Sequence, residues 1–373
     1  MPVTATSTHA SIEQIHVSAY KIPTDQPEAD GTASWDSTTL VLVEIEGDGR
    51  IGLGYTYGHE SIAHLIHSKL AKKIEGRDAM NIPSAWVEMV KAIRNNGRPG
   101  ISSMAISAVD CALWDLKARI LDLPLVTLLG AAHESVPVYG SGGFTSYSNK
   151  QLQKQLSGWV EQGIPRVKMK IGTHPEDDVE RVRAARKAVG DKVELFVDAN
   201  GAFSRKQALA FAQRLHEEFG VVWFEEPVSS DDLAGLHLIR DQGPANMDIA
   251  AGEYGYDLYY FRRMLDAEAV DVLQADVTRC GGITGFLKVG ALCNAHCLEL
   301  SSHCAPSEST HPCCAIMPLR PLEYFHDHER IEHMLFDGAL TPENGALYPD
   351  FSRPGMGLEF KRTDAERYLV WKS

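Results

Sequence analysis

The sequence predicts a parallel β/α barrel preceded by a separate region of antiparallel strands and helices. Short apolar, β-branched runs recur through the C-terminal half. Each ends in a polar residue, in turn Lys170, Asp198, Glu225, Glu253, Asp276 and His303, at gaps of 28, 27, 28, 23 and 27 residues. A strand-helix-strand unit occupies about 30 residues, so each gap fits one repeat. Amphipathic stretches lie between the runs, and such alternation implies a parallel sheet with right-handed crossovers. The first 130 residues lack it and instead carry Gly47-Asp48-Gly49 between two strand-like runs, a hairpin signal.

Composition bounds the function. A length of 373 residues suggests roughly two domains, and 44% hydrophobic with 23% charged residues is ordinary for a globular protein. The net charge of −14 excludes nucleic acid as a partner, since phosphate binding needs a basic face. It does not exclude an anionic substrate, because a bound divalent cation would dominate the local field. The first fifteen residues are Thr/Ser-rich with no basic start or apolar core, so no signal peptide is expected. No apolar run approaches the roughly 18 residues of a membrane helix. Seven cysteines, an odd number, read as reduced thiols of a cytoplasmic protein.

In chain order, strands are expected at 11–21, 38–46 and 50–57. The polar loop Ile22–Ser37 holds two prolines, Asp25, Glu28, Asp30 and Trp35, and its length marks it as a functional lid. A second loop, Gly54–His59, could lie beside it. Helices follow at 59–75, at 83–95 with a proline near its start, and at 101–122, where apolar residues recur at helical spacing. Trp86, Met104 and Trp114 are expected in the core. The barrel strands are placed at 136–140, 166–170, 193–197, 221–225, 247–251, 270–275 and 298–302, with a short eighth near 314–317. Helices at 149–162, 176–189, 204–218, 231–241, 257–267 and 283–296 separate them. A closed barrel carries its active site at the C-terminal strand ends, where every residue of the polar row falls.

The row divides by chemistry. Asp198, Glu225 and Glu253 end successive strands about 4.8 Å apart, so three carboxylates can converge on one cation. Oxygen ligands with positions left for water and substrate suit Mg²⁺. Glu226 follows Glu225 and should point to the opposite side of its strand, which leaves Glu225 as the ligand. Lys168 and Lys170 are two apart and face one side, where lysines are rare without a purpose. A metal and each other should lower their pKa values and make one a base. Asp276 ends the strand before that of His303, so it can orient the imidazole as an Asp–His dyad.

Together these motifs resemble the enolase superfamily, and within it the mandelate racemase-like group. Lys168-Met169-Lys170 is similar to that group's Lys-x-Lys. Val197-Asp198-Ala199-Asn200, Phe224-Glu225-Glu226-Pro227 and Ala251-Gly252-Glu253 resemble its metal-ligand strand ends. Asp276 with Cys280-Gly281-Gly282-Ile283-Thr284-Gly285, and Ser301-Ser302-His303, resemble its Asp–His dyad. Leu123-Pro124-Leu125 with Leu128-Leu129-Gly130 is similar to the usual junction into the barrel. Glu323 in Pro321-Leu322-Glu323-Tyr324 resembles a glutamate that hydrogen-bonds the substrate carboxylate. The resemblance implies an α+β capping domain, residues 1–130 completed by 330–373, on a (β/α)₇β modified TIM barrel, residues 131–329. The strand-like segment 357–361 would return to the cap. It also implies Mg²⁺, a small-molecule carboxylate substrate and a homo-oligomer, dimer or octamer.

The chemistry expected is removal of a proton α to a carboxylate, with Lys168 as fixed positive charge and Lys170 and His303 on opposite faces of the α-carbon. Glu323, if protonated, would donate to the substrate carboxylate. With a β-hydroxyl, His303 protonates the leaving group, and an acid sugar becomes a 2-keto-3-deoxy acid. Without one, the same residues give a racemase or epimerase. The polar residues Asp25, Asp30 and Ser34 suit a polyol. Residues after the first strand, Ser141, Phe144 and Thr145, are expected to set specificity, and Arg279, Cys304 and His311 to lie near substrate.

Other classes fit less well. A glycosidase would use strand-end carboxylates but neither the two lysines nor a divalent metal. A barrel zinc hydrolase would carry His-x-His after the first strand, where this chain has Val138-Tyr139-Gly140. A non-catalytic carboxylate-binding protein would not need a base on each face. Cys293, Cys297, Cys304, Cys313 and Cys314 with His296 and His311 match no structural zinc spacing.

Overall fold

The structure is a computed structural model that describes residues 9–373, so residues 1–8 of the segment read for a leader lie outside the described residues. Strands β1 (Gln14–Ala29), β2 (Ser34–Gly47) and β3 (Arg50–Tyr57) form an antiparallel meander. Helices α1 (Ser61–Leu65), α2 (Ala71–Ile74), α3 (Ile82–Ala92) and α4 (Ile101–Ile120) pack on it. A π-helical turn, Ile66–Leu70, joins α1 to α2 within the single helix expected over 59–75. Close packing of α4 on β3 needs glycine. A Cβ at Gly52 or Gly54 would stand 2.3 Å from the carbonyl oxygen of Ala112 or Ala108.

Residues 22–37 are not a loop. β1 and β2 continue as a hairpin with Glu28 opposite Trp35, after a bulge between Pro23 and Glu28 that accommodates the prolines. The extension is held by Trp35, whose Nε1 donates to Glu28 Oε2 at 2.7 Å and whose ring meets Phe144 edge-on at 5.7 Å.

A five-residue helix, α5 (Leu125–Leu129), leads into the repeating half. Its strands are β4 (Val136–Gly142), β5 (Arg166–Lys170), β6 (Glu194–Asp198), β7 (Val221–Glu225), β8 (Asp248–Ala251), β9 (Val272–Ala275), β10 (Glu299–Ser302) and β11 (Leu322–Phe325). The intervening helices are α6 (Asn149–Glu161), α7 (Pro175–Val189), α8 (Arg205–Phe219), α9 (Leu233–Gln242), α10 (Leu258–Asp266), α11 (Gly282–Ala295) and α12 (Pro306–Ala315). Neighbouring strands pair in parallel from β10 round to β4 and on to β11. The ring closes where Leu300 N donates to the Pro318 carbonyl (2.7 Å) and the Leu300 carbonyl accepts from Arg320 N (2.9 Å). Seven β/α units and a final strand give a (β/α)₇β barrel under an α+β cap.

The eighth strand is thus Leu322–Phe325 and not 314–317, which falls at the end of α12. Local signals start the helices: α6 and α8 have capping boxes, Ser148–Gln151 and Ser204–Gln207, and the Asp257 carboxylate accepts from the first turn of α10. Inside the barrel, side chains at period two stack in layers. Tyr139, Phe196 and Trp223 form an aromatic plug, with the Phe196 and Trp223 rings stacked at 5.0 Å.

After β11 the chain forms α13 (His326–Leu335) and β12 (Phe336–Asp337). Next, β13 (Ala346–Leu347) pairs with β4, and β14 (Glu359–Phe360) pairs with β12 and meets the cap through Phe360 against Tyr20 (5.3 Å) and Glu359 against Arg119 (2.8 Å). The segment that joins the capping sheet is β15 (Leu369–Lys372), antiparallel to β1. Among the described residues no helix is long and apolar enough to cross a membrane.

Cap, barrel and tail share buried polar anchors. Trp86 Nε1 donates to the Gly281 carbonyl (2.8 Å), and the Asp110 carboxylate accepts from Thr284 N (2.8 Å) and Oγ1 (2.7 Å) at the start of α11. Asp115 accepts from Leu53 N (2.8 Å), Met356 N (2.6 Å) and Arg119 Nε (2.6 Å), joining β3, α4 and the tail. Asp115→Ala strands those donors in the interior. Denaturant unfolding should show a loss of ~3–5 kcal/mol, as for one partner removed from a buried pair.

Candidate active site

Parallel register brings the polar row together. Lys170 lies opposite Asp198, and Asp198 opposite Glu225. Ala275 lies opposite Ser302, so Asp276 and His303, one residue further, leave adjacent strands side by side. Glu253 follows β8 after Gly252, whose φ of 138° is open to glycine alone. All eight candidate residues, Lys168, Lys170, Asp198, Glu225, Glu253, Asp276, His303 and Glu323, are buried at this end of the barrel.

Asp198, Glu225 and Glu253 each offer an oxygen within 4.8 Å of the others. Glu253 Oε2 is buried without a hydrogen-bond partner, although His303 Nε2 lies 3.2 Å away. Three converging carboxylates with an unsatisfied oxygen fit a hard divalent cation. Burial tends to raise all three carboxyls. Lys170 and Lys168 hold Asp198 below its usual range, and His303, Arg279 and Lys170 hold Glu253 well below. At Glu225 burial and the Asp198 charge prevail, pushing it up to about 8.

The lysines face inward as expected, but their pKa values rise. Lys170 Nζ lies 2.5 Å from Asp198 Oδ2. Lys168 Nζ contacts Glu225, reaches Glu323 Oε1 at 2.8 Å and Asp198 Oδ2 at 3.3 Å, and sits over the Tyr139 ring. Burial works to lower both, yet the carboxylates outweigh it: Glu225, Glu323 and Asp198 for Lys168, chiefly Asp198 for Lys170. The fall expected beside a metal and a second lysine presupposes the cation; the carboxylates alone, unneutralised, hold both ammonium groups charged.

His303 Nδ1 and Asp276 Oδ2 are 2.7 Å apart, and Thr278 N and Oγ1 donate to Asp276 Oδ1, each at 2.7 Å. Burial opposes charge on the imidazole, but Cys304, Glu253, Glu323 and Asp276 hold its pKa well above the ordinary value. Glu323 accepts from Ser141 Oγ at 2.6 Å. Burial raises its carboxyl, but Lys168 and His303 drive it far down, which works against the protonated form in which Glu323 would donate.

A cavity of about 480 Å³ opens above these groups, with Lys170, Glu253 and His303 on its floor. The cap supplies Asp30, Trp35, Tyr57 and His59, so the hairpin meets the end of β3 over the site; residues 54–57 of the expected second loop are strand. Of the hairpin's acids, Asp30 reaches the cavity wall and Asp25 does not. Asp30 Oδ1 is occupied by Thr32 N and Ala33 N at the hairpin tip (each 2.7 Å), and Asp25 faces His326. Ser141, Phe144 and Thr145 are absent from the cavity wall, where they support Glu323, Trp35 and the hairpin. Arg279 and Cys304 line the cavity. His311 does not, because it is buried in α12 with Nε2 against the Met356 carbonyl.

Sequence reasoning missed seven wall residues: Lys21, Thr38 and Thr39 on the capping strands, and Asn200, Tyr254, Phe325 and His328. Asn200 stands two residues past Asp198, so position could have flagged it. His328 lies on α13, outside the strand-end spacing, stacked on Tyr57 at 3.5 Å with its pKa lowered by burial to about 3. Glu226 does not turn away cleanly. A φ of 39° breaks the strand alternation and leaves it buried, with burial and Glu253 raising its pKa. All seven cysteines are free. Cys293, Cys313 and Cys314 belong to the core, and Cys297 is exposed.

Known proteins share this architecture. Residues 14–130 match the mandelate racemase/muconate lactonizing enzyme N-terminal domain, and 151–365 match the enolase C-terminal domain-like family. A 3,6-anhydro-α-L-galactonate cycloisomerase from Streptomyces coelicolor is 34% identical over 94% of this chain and 98% of its own. An L-talarate/galactarate dehydratase from Salmonella typhimurium is 31% identical over 95% of this chain and 90% of its own. A mandelate racemase/muconate lactonizing enzyme-like protein from Rubrobacter xylanophilus superposes with a TM-score of 0.95 at 58% identity, covering 96% of this chain and all of that one. A Streptomyces coelicolor racemase solved with bound magnesium gives 0.90 at 32% identity, covering 96% and 100%. With both domains matched and this strand-end constellation in place, the chain belongs to the enolase superfamily, in its mandelate racemase-like group.

Proposed function

We propose that this enzyme dehydrates an acid sugar, an aldonate or aldarate, to a 2-keto-3-deoxy acid by Mg²⁺-dependent abstraction of the proton α to a carboxylate. The observation that carries the reading is one cavity floor holding two proton-transfer groups, Lys170 and His303, beside the carboxylate cluster. Asp198, Glu225 and Glu253 would hold the ion. Bound there, Mg²⁺ would neutralise the substrate carboxylate as its α-proton leaves and offset the Asp198 charge that keeps Lys170 protonated.

Lys170, as the neutral amine, takes the α-proton from one face. His303, kept protonated by Asp276 and its other acidic neighbours, gives a proton to the departing β-hydroxyl. Lys168 stays charged and adds fixed positive potential where the enediolate forms. Glu323, ionised between Lys168 and His303, positions both. The capping domain is taken as 1–130 completed by 330–373 and the barrel as 131–329, in a cytoplasmic homo-oligomer.

A second reading is racemisation or epimerisation, favoured by the presence of a proton carrier on each side. A library of mono- and diacid sugars incubated with Mg²⁺ separates the two. Dehydration gives a 2-keto product that reacts with semicarbazide. A library with no such product, alongside optical rotation changing on another α-substituted acid, would replace dehydration by racemisation.

A further inference from the structure

A second set of donor side chains converges outside the barrel centre, where the capping hairpin meets α13. Asp25 lies within the bulge in β1, Glu28 ends it, and His326 opens α13. One ligand atom from each lies within 4.8 Å of the others. His326 Nε2 is 3.2 Å from Asp25 Oδ1 and 3.1 Å from Oδ2. Donors bound to one transition-metal ion at about 2.1 Å, at right angles, stand roughly 3 Å apart.

Glu28 is the independent pointer. Its side chain is 1% exposed, Oε2 is held by Trp35, and Oε1 is buried without any hydrogen-bond partner. A buried carboxylate oxygen left bare is costly. The neighbouring cation makes no hydrogen bond to Glu28: Arg330 Nη2 donates to Asp327 at 2.5 Å and to the Pro23 carbonyl at 2.8 Å, and its Nε is unpartnered. Asp327, fully buried, leaves its own Oδ2 unpartnered, and burial together with Asp327 pushes the Glu28 carboxyl up to about 8.

We infer a second divalent-cation site, Asp25–Glu28–His326, separate from the carboxylate cluster of the barrel. Two carboxylates with one imidazole suit a borderline first-row ion such as Mn²⁺ or Zn²⁺ better than Mg²⁺. Asp25 is 45% exposed at its side chain, which gives the ion a route from solvent and room for water ligands. The site would tie the hairpin to α13. Hairpin residues Asp30 and Trp35 and the α13 neighbours Phe325 and His328 line the substrate cavity, so the ion would fix the two walls of its mouth. The inference does not depend on which reaction the barrel carries out.

Equilibrium dialysis of the full chain against Mn²⁺, with bound metal counted by mass spectrometry, tests it. The expected stoichiometry is two ions per chain in the wild type, and one each in Asp25→Asn, His326→Asn and Asp198→Asn. The last variant reports the barrel ion alone, so failure of the barrel reading appears as Asp198→Asn matching the wild type. Asp25 is half exposed, and its amide variant should fold even if His326→Asn does not. A folded Asp25→Asn that binds as much Mn²⁺ as the wild type overturns the site and leaves an ordinary His–Asp ion pair. A wild type that binds a single ion, lost in Asp198→Asn, does the same.

Discussion

Replacing Lys170 with alanine, or His303 with asparagine, should lower kcat by ~10²–10⁴-fold or more, with Mg²⁺ still bound. The metal should stay because neither residue belongs to the carboxylate triad. Without Lys170, Asp198 keeps Lys168 at 3.3 Å and remains ionised. An asparagine at 303 retains a donor toward Asp276 but cannot carry a proton to substrate. The check is steady-state turnover on the acid identified by the screen, with metal content measured on the same samples. Full activity in either variant would remove that residue from proton transfer. Loss of activity together with loss of metal would assign it to the metal site instead.

The second large effect concerns the triad. Asp198→Asn should lose Mg²⁺ and slow turnover roughly a thousandfold or more, since an ion opposing developing charge contributes several kcal/mol to the transition state. Asp198 has a double role: it offers a metal ligand and is the carboxylate nearest Lys170, at 2.5 Å. Its amide should therefore also let the Lys170 pKa fall, because Asp198 is the main influence raising it. EDTA should silence the wild type, with recovery on adding Mg²⁺ in the wild type alone. Activity that survives chelation would point to a metal-free use of these carboxylates, as in a glycosidase.

The strand ends were legible because a barrel imposes period two along each strand and a near-constant spacing between strands. β5 and β7 fall on their expected residues, and Lys170, Asp198 and Glu225 meet in register. The eighth strand was misplaced for a physical reason. α12 is almost wholly buried and contains Pro312, so it shows neither an amphipathic stripe nor an uninterrupted helical sequence. Its apolar end, Cys313-Cys314-Ala315-Ile316, reads as a strand.

The hairpin extension was misread as a loop because prolines and acids usually mark one. Here the bulge absorbs the chain irregularity, and Trp35 packing supplies the order that local propensity lacks. Protonation states were less legible than positions. The fall expected for the lysines rests on a neighbouring cation as well as on each other, whereas the carboxylates that arrive from β6, β7 and β11, unneutralised, raise both. Cavity walls contributed by α13, such as His328, carry no spacing signal at all.

The most direct test follows the α-hydrogen of the active acid by proton NMR in D₂O. The account predicts that the wild type with Mg²⁺ releases that hydrogen to solvent, that the keto product takes up deuterium at the adjacent carbon, and that Lys170→Ala shows neither change. Product that forms with the α-hydrogen retained, or release that continues unabated in Lys170→Ala, would contradict it.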